Sequence, residues 1–225
     1  MRLKTQESCL PAGTARLKII ILSALLLLMS GCANTVTPLF PAGNNITIDI
    51  NFRDNINTAD NGYKYYIIFN NNAAPQIPFI NTGIQFVEPG ITPSQPEVDY
   101  YGKIYCTWKS YIVLDGNTFS FVKGPYTSEA VPTKETIAIW NGNETARILL
   151  SFNLDKLGTL TERLNFDFVT VDKQSKMAID NLSLDNKSLS SYYVFTIANS
   201  TATGSDEVIG TAEASDITTW RIVIQ

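Results

Sequence analysis

The chain has 225 residues, with 17 basic, 21 acidic and no histidine, and a net charge of −4. The missing histidine excludes Ser-His-Asp and Cys-His catalysis and histidine-ligated zinc. An acidic balance leaves no basic surface for a phosphate backbone, so no nucleic-acid partner is expected. Only 17% of residues are charged, while Tyr and Phe number 10 and 11, which suits a folded β-protein rather than a disordered chain.

The first element is the stretch RLKIIILSALLLLMSGCA at 16–33. Its apolar run, Ile19–Met29, has 11 residues, short of the about 20 that cross a bilayer but within the about 7–15 of a secretory signal. Arg2, Lys4, Arg16 and Lys18 form the positive flank, opposed by Glu7 alone, and the small residues Ser30 and Gly31 precede Cys32. The set Leu28-Met29-Ser30-Gly31-Cys32 resembles the lipobox of bacterial lipoproteins. That resemblance implies cleavage before Cys32, a lipid on its thiol and acylation of the new amino terminus; an ordinary cleaved signal with an incidental cysteine is the alternative. One acyl chain anchors only marginally and two or more hold durably, at about 0.8 kcal/mol per buried CH₂. Ala33, where an aspartate would retain the protein, implies the outer membrane if the organism is Gram-negative. The expected organisation is a signal peptide at 1–31, a lipidated cysteine and tether at 32–45, and one domain at 46–225. The expected location is the cell envelope.

Without residues 1–31 the chain keeps 194 residues and a net charge of −7. Cys106 is then the only thiol beyond the anchor, so no intrachain disulfide can form. Stability must come from a core, for which ~180 residues suffice. Cys106 and Met177 are the sole sulfur ligands on offer in the domain, and no cofactor or metal is expected.

Strand signals begin with ITIDINF, where Ile46, Ile48, Ile50 and Phe52 alternate with polar residues as in a half-buried strand. DNINTADNG (54–62) superficially suggests a calcium loop. The alternate positions 56 and 58 hold Ile and Thr, so an Asx-rich turn is the expectation. YKYYIIFN is apolar throughout and reads as a central strand. Residues 70–99 hold five of the ten prolines with little periodicity. They are either a loop folded over a sheet edge or sandwich end, burying Ile77, Phe79, Ile80, Phe86 and Val87, or a binding loop.

The run YYGKIYCTWKSYIVL meets NTFSFVKG across Asp115-Gly116, a hairpin signal. Strand parity in KIYCTWK places Ile104, Cys106 and Trp108 together in the core, with Cys106 a buried, inert thiol. In TIAIWNGNETARILLSFNL, Asn141-Gly142 reads as a two-residue hairpin turn. It would pair Trp140 with Asn143 and Ile139 with Glu144, and join Ile137 and Ile139 to Ile148, Leu150 and Phe152 on one buried face. LNFDFVTV, SYYVFTIA and WRIVI supply the remaining strands, with a short helical turn near Leu154–Gly158. The fold class expected is all-β: an antiparallel β-sandwich of about eight to nine strands, immunoglobulin-like or jelly-roll-like.

From 135 to 225 the order of ARILLSFNLDKLG, LNFDFVTVD and DITTWRIVI resembles the DOMON-like and family 9 carbohydrate-binding sandwiches. The resemblance implies a non-catalytic module for haem or sugar; the haem branch lacks matching His or Met ligands here. Trp140 is the candidate ligand-binding residue. Its parity opposes that of Ile137 and Ile139, so its ring would stand outward at a sheet tip and stack on a sugar or partner side chain. The other reading has it lying flat on Arg147 or a neighbouring strand. Trp108 and Trp220 share faces with apolar residues and belong to the core. The expected function is a membrane-anchored lipoprotein with a non-catalytic structural or protein-interaction domain, its partner an envelope protein or a polysaccharide. A tethered carbohydrate-binding module is the first alternative. A glycoside-acting enzyme drawing a carboxylate pair from Asp99, Glu129, Asp167 or Asp172 is the second.

Overall fold

The computed structural model describes residues 45–72, 75–77, 83–95, 97–142, 145–158, 163–182, 193–196, 201–205 and 213–225. The lipobox, Cys32 and the tether up to residue 44 lie outside them. The fold is an all-β sandwich of two antiparallel sheets within the unit Pro38–Gln225. Its strands are β1 (Asn45–Phe52), β2 (Tyr63–Asn70), β3 (Ser110–Asp115), β4 (Thr118–Lys123), β5 (Lys134–Ile139), β6 (Arg147–Asn153), β7 (Arg163–Asp172), β8 (Ala178–Asn181), β9 (Tyr193–Thr196), β10 (Thr201–Ser205) and β11 (Ile217–Ile224). These eleven among the described residues exceed the eight or nine expected because β8 and β10 are short and their sequences carry little apolar alternation.

One sheet has the order β10-β11-β1-β6; the other runs β5-β4-β3-β2-β7-β8, with β9 also on β7. Eight of the ten residues of β7, Asn165–Asp172, pair along β2 on one side. Its other edge is shared: Arg163–Phe166 take β9, and Val169–Val171 take β8.

Between the sheets lies the main core. β1 contributes Ile46, Ile48, Ile50 and Phe52 by strict alternation, and they meet Ile148, Leu150 and Phe152 of β6 and Trp220, Ile222 and Ile224 of β11. The facing sheet adds Tyr65, Ile67 and Phe69 from β2 and Leu164, Phe166 and Phe168 from β7. The helical turn Leu154–Leu157 closes this edge and ends at Gly158, whose φ of 79° suits glycine.

The central strands β2, β3 and β7 of the larger sheet are buried on both faces. Their outer side shows Tyr66, Ile68, Tyr111, Val113, Val169 and Val171, and Ile77, Phe86, Val98, Tyr100, Ile104 and Trp108 cover them as a third layer with its own core. YKYYIIFN is therefore apolar throughout because β2 has no solvent face. Ile77 and Phe86 are buried, so the proline-rich segment caps a sheet face rather than an edge. Trp108 anchors it: the ring stacks near Phe86 with centroids 6.4 Å apart, and its Nε1 donates to the Gln76 carbonyl at 2.7 Å.

Two local expectations are corrected here. YYGKIYCT is not strand but a π-helical turn (Tyr100–Ile104) running into a 3₁₀ turn (Tyr105–Thr107). Helical spacing replaces strand parity, so Ile104 and Trp108 are buried while Cys106 is exposed, its Sγ 2.9 Å from the Gly102 carbonyl oxygen. Asp99 caps the turn by accepting from Gly102 N at 2.7 Å.

The second correction concerns Asn141-Gly142. β5 pairs with β4 in one sheet and β6 with β1 in the other, so the chain crosses between sheets instead of folding back. Neither residue takes a positive φ, as a type I′ turn would demand. Gly142 is needed for space: a Cβ there would lie 2.5 Å from Trp140 Nε1. The Asp115-Gly116 hairpin does form, with Gly116 at φ 61° and Asp115 opposite Thr118.

Candidate functional site

The outer face of the larger sheet carries a cleft of about 390 Å³ where β2 and β7 run under the covering segment. Lys64 and Tyr66 point to this side together because strand side chains alternate, and Tyr66 is 2% exposed. The opposite wall is the Glu88–Ile91 turn, held by Tyr101, whose hydroxyl accepts from Gly90 N at 2.9 Å and donates to the Ile91 carbonyl at 2.8 Å. The β7–β8 turn closes a third side: Lys176 O accepts from Phe86 N at 2.6 Å, and Gln85 pairs with Met177.

A chain of alternating charges runs through the cleft. Glu88 Oε1 accepts from Lys64 Nζ and from the Tyr66 hydroxyl at 3.0 Å, while Oε2 faces Lys134 Nζ at 3.4 Å. Lys64 also reaches Asp115 at 3.1 Å, and Asp115 takes Lys173 Nζ at 2.7 Å. Lys173 further donates to the Thr58 carbonyl at 2.7 Å. Burial acts to raise the Glu88 carboxyl, but Lys64, then Lys134 and Tyr66, outweigh it and hold it below the ordinary range. Asp115 is likewise lowered, burial being overcome by Lys173 and Lys64. Burial also pushes the Tyr66 hydroxyl well up, so it stays a proton-bearing donor. Both carboxylates are thus ionised and occupied at neutral pH.

The structure does not gather the four carboxylates considered for glycoside chemistry. Asp172 alone lines the cleft, with Oδ1 turned onto Ser175 N and Oγ at 2.6 and 2.7 Å. Asp99 caps the π-helical turn, Glu129 is exposed, and Asp167 is sealed inside at 0% exposure. Trp140 does not stand outward. Its ring is 9% exposed and belongs to the core between the sheets, so no free face is offered for stacking. The 54–62 segment is an Asx-type turn, with Asn57 Oδ1 accepting from Ala59 N at 3.1 Å. Among the described residues no group of three or more Cys, Asp or Glu could hold a metal ion. No family model matches the chain, and comparisons with curated proteins and with solved structures find no match.

Sequence reasoning missed Lys64, Glu88, Lys173 and Lys176. One signal was present: a lysine inside the aromatic run YKYY cannot be buried without partners. Its partners, Glu88 and Asp115, come from a loop and a strand end, and no spacing links them.

Asp167 bears a testable consequence. Its Oδ1 accepts from Phe168 N at 2.8 Å and Leu182 N at 3.3 Å, and its Oδ2 has no protein partner. Burial, with some repulsion from Asp180, raises its pKa well above the usual value. A raised carboxyl binds more protons in the native state, so stability falls as pH climbs above the unfolded value of about 3.9, by up to about 1.4 kcal/mol per unit. Asp167→Asn is expected to flatten that decline and to be the more stable protein at pH 7. Urea titrations at pH 4.5 and pH 7 check this; parallel pH profiles for the two proteins would refute it.

Proposed function

We propose that the chain is a membrane-anchored bacterial lipoprotein of the cell envelope whose sandwich is a non-catalytic binding domain, with its ligand in the cleft between β2 and the Glu88–Ile91 turn. The observation that carries this is the cleft itself. It has a rigid floor on two central strands, a wall fastened by Tyr101, and charged groups held by ion pairs before any ligand arrives, which is the preorganisation a binding site needs. Its size favours a saccharide-sized ligand over a flat protein interface. Against a glycosidase, Glu88 and Asp115 are both depressed carboxylates, and neither is a proton donor for a leaving group. The lipobox resemblance at Cys32 supplies the anchor.

Two measurements test the proposal. Cys32→Ser is expected to abolish metabolic labelling with palmitate; unchanged labelling would remove the anchor. On a glycan array the full-length protein is expected to bind, and Thr92→Trp, which fills the cleft mouth from an exposed position, to bind nothing. Equal array signals from both proteins would move the site elsewhere.

A further inference from the structure

The ligand of this cleft, on the reading that the cleft is a binding site, is defined by which hydrogen-bonding capacity its walls leave open. Most of the acceptors are used. Both Glu88 oxygens face donors, Asp172 is turned onto Ser175, and Asp115 is bridged by two lysines. The donors are not all used. Each ammonium carries three N–H groups; Lys64 spends two on Glu88 and Asp115, and Lys173 two on Asp115 and Thr58 O. Lys176, exposed on the cleft wall, makes no ion pair among the described residues. A site with spare donors and mostly filled acceptors takes an acceptor-rich, negatively charged group.

Lys176 adds an independent observation. Its φ of 58° lies in the left-handed region, which costs a branched or long side chain about 1–2 kcal/mol and glycine little. The conformation is imposed by the bond from Phe86 N to Lys176 O that ties the covering segment down. Glycine or asparagine would meet that demand with less strain. A lysine there gives the cleft a cation that the fold does not require, the pattern of strain held at functional positions.

Three further features narrow the class. The chain is acidic overall, with a net charge of −4, so a polyanion would be repelled at long range while a single carboxylate would not. The floor is apolar, from Phe86, Val87 and Val171, and the rim offers Gln85, Thr92 and Ser94. A volume of about 390 Å³ admits a mono- or disaccharide. We infer that the cleft binds a uronic-acid sugar: its carboxylate meets Lys176 and the spare protons of Lys64 and Lys173, its ring lies on the apolar floor, and its hydroxyls reach the rim.

Titration calorimetry on the full-length protein in detergent, with digalacturonate, neutral digalactose and inorganic phosphate as probes, tests this. Digalacturonate is expected to bind more tightly than the other two and to weaken as salt screens the lysines. Lys176→Gln should lower its affinity about tenfold, Lys176→Arg should retain it, and neither should lower the melting temperature. Lys176→Gly, which relaxes the backbone, should lose affinity while gaining stability. Equal affinity for digalactose, or no effect of Lys176→Gln, overturns the anionic assignment; the cleft reading survives that result if Thr92→Trp still abolishes binding. Phosphate binding without digalacturonate binding overturns the sugar. Failure of all three probes overturns the inference, and glycan binding insensitive to Thr92→Trp overturns the cleft reading separately.

Discussion

Trp140→Ala is expected to destabilise the domain by about 3–5 kcal/mol, the range for removing a large aromatic from a core. For a chain of this size that lowers the melting temperature by about 10 °C. The indole is 9% exposed and sits where the chain leaves β5 for β6, between sheets that share no hydrogen bonds at this corner. Its backbone N donates to Asn117 O at 2.7 Å, and Thr145 N donates to Gly142 O at 3.1 Å. Thr145 O and Ala146 O then accept from Ile56 N and Phe52 N at 2.9 and 2.8 Å, delivering the chain to the other sheet. Deleting the ring leaves a cavity at the point that sets the connection. Trp140→Phe should cost less, because part of the corner stays filled. Thermal denaturation checks both; a surface tryptophan would give a shift of a degree or less.

The second large effect is expected at Arg53. Asp216 is 0% exposed, and its Oδ2 pairs with Arg53 Nε while its Oδ1 has no protein partner. Arg53 N also donates to Asp216 O at 3.0 Å, and the next residue, Ile217, donates to Asp180 Oδ2 at 2.8 Å. Removing one partner of a buried pair leaves the other charge uncompensated, which costs about 3–5 kcal/mol. The Arg53 side chain is 38% exposed, so water screens part of the pair and about 3 kcal/mol is the expected loss for Arg53→Met. Methionine keeps the aliphatic stem, which isolates the charge from the packing. Adding Asp216→Asn to that variant should recover part of the loss, since a neutral amide no longer needs the guanidinium. Urea denaturation of the single and double variants measures the coupling; additive losses would show that the pair contributes nothing.

Alternation in β1, β6 and β11 was legible because each has one face on the main core and one in solvent, and a period of two then shows in the residues. β2 was legible as central for the opposite reason, both its faces being covered. The same patterns misled at KIYCTWK, where a segment lying over a sheet buries residues at helical spacing and exposes Cys106 between them. They misled again at Asn141-Gly142, a pair that turns a hairpin only if the flanking strands belong together. Here β5 and β6 belong to different sheets, and the glycine serves the indole above it.

What the sequence determined by itself is local or compositional. The all-β class, the buried faces of the main strands, the Asp115-Gly116 hairpin and the turn at Leu154–Gly158 follow from periodicity and glycine placement. The expectation of a lipid anchor at Cys32 rests on a short contiguous motif. Only the tertiary structure decided which sheet each strand joins, that Ile77, Phe86, Val98, Tyr100, Ile104 and Trp108 belong to a third layer, and that Lys64, Glu88, Lys173 and Lys176 line one cleft with Asp115 bridging Lys64 and Lys173. These five come from two strand ends, the Glu88 loop and the β7–β8 turn. Their association depends on long-range pairing and on desolvation of charges against one another, and neither leaves a spacing along the chain that could be read in advance.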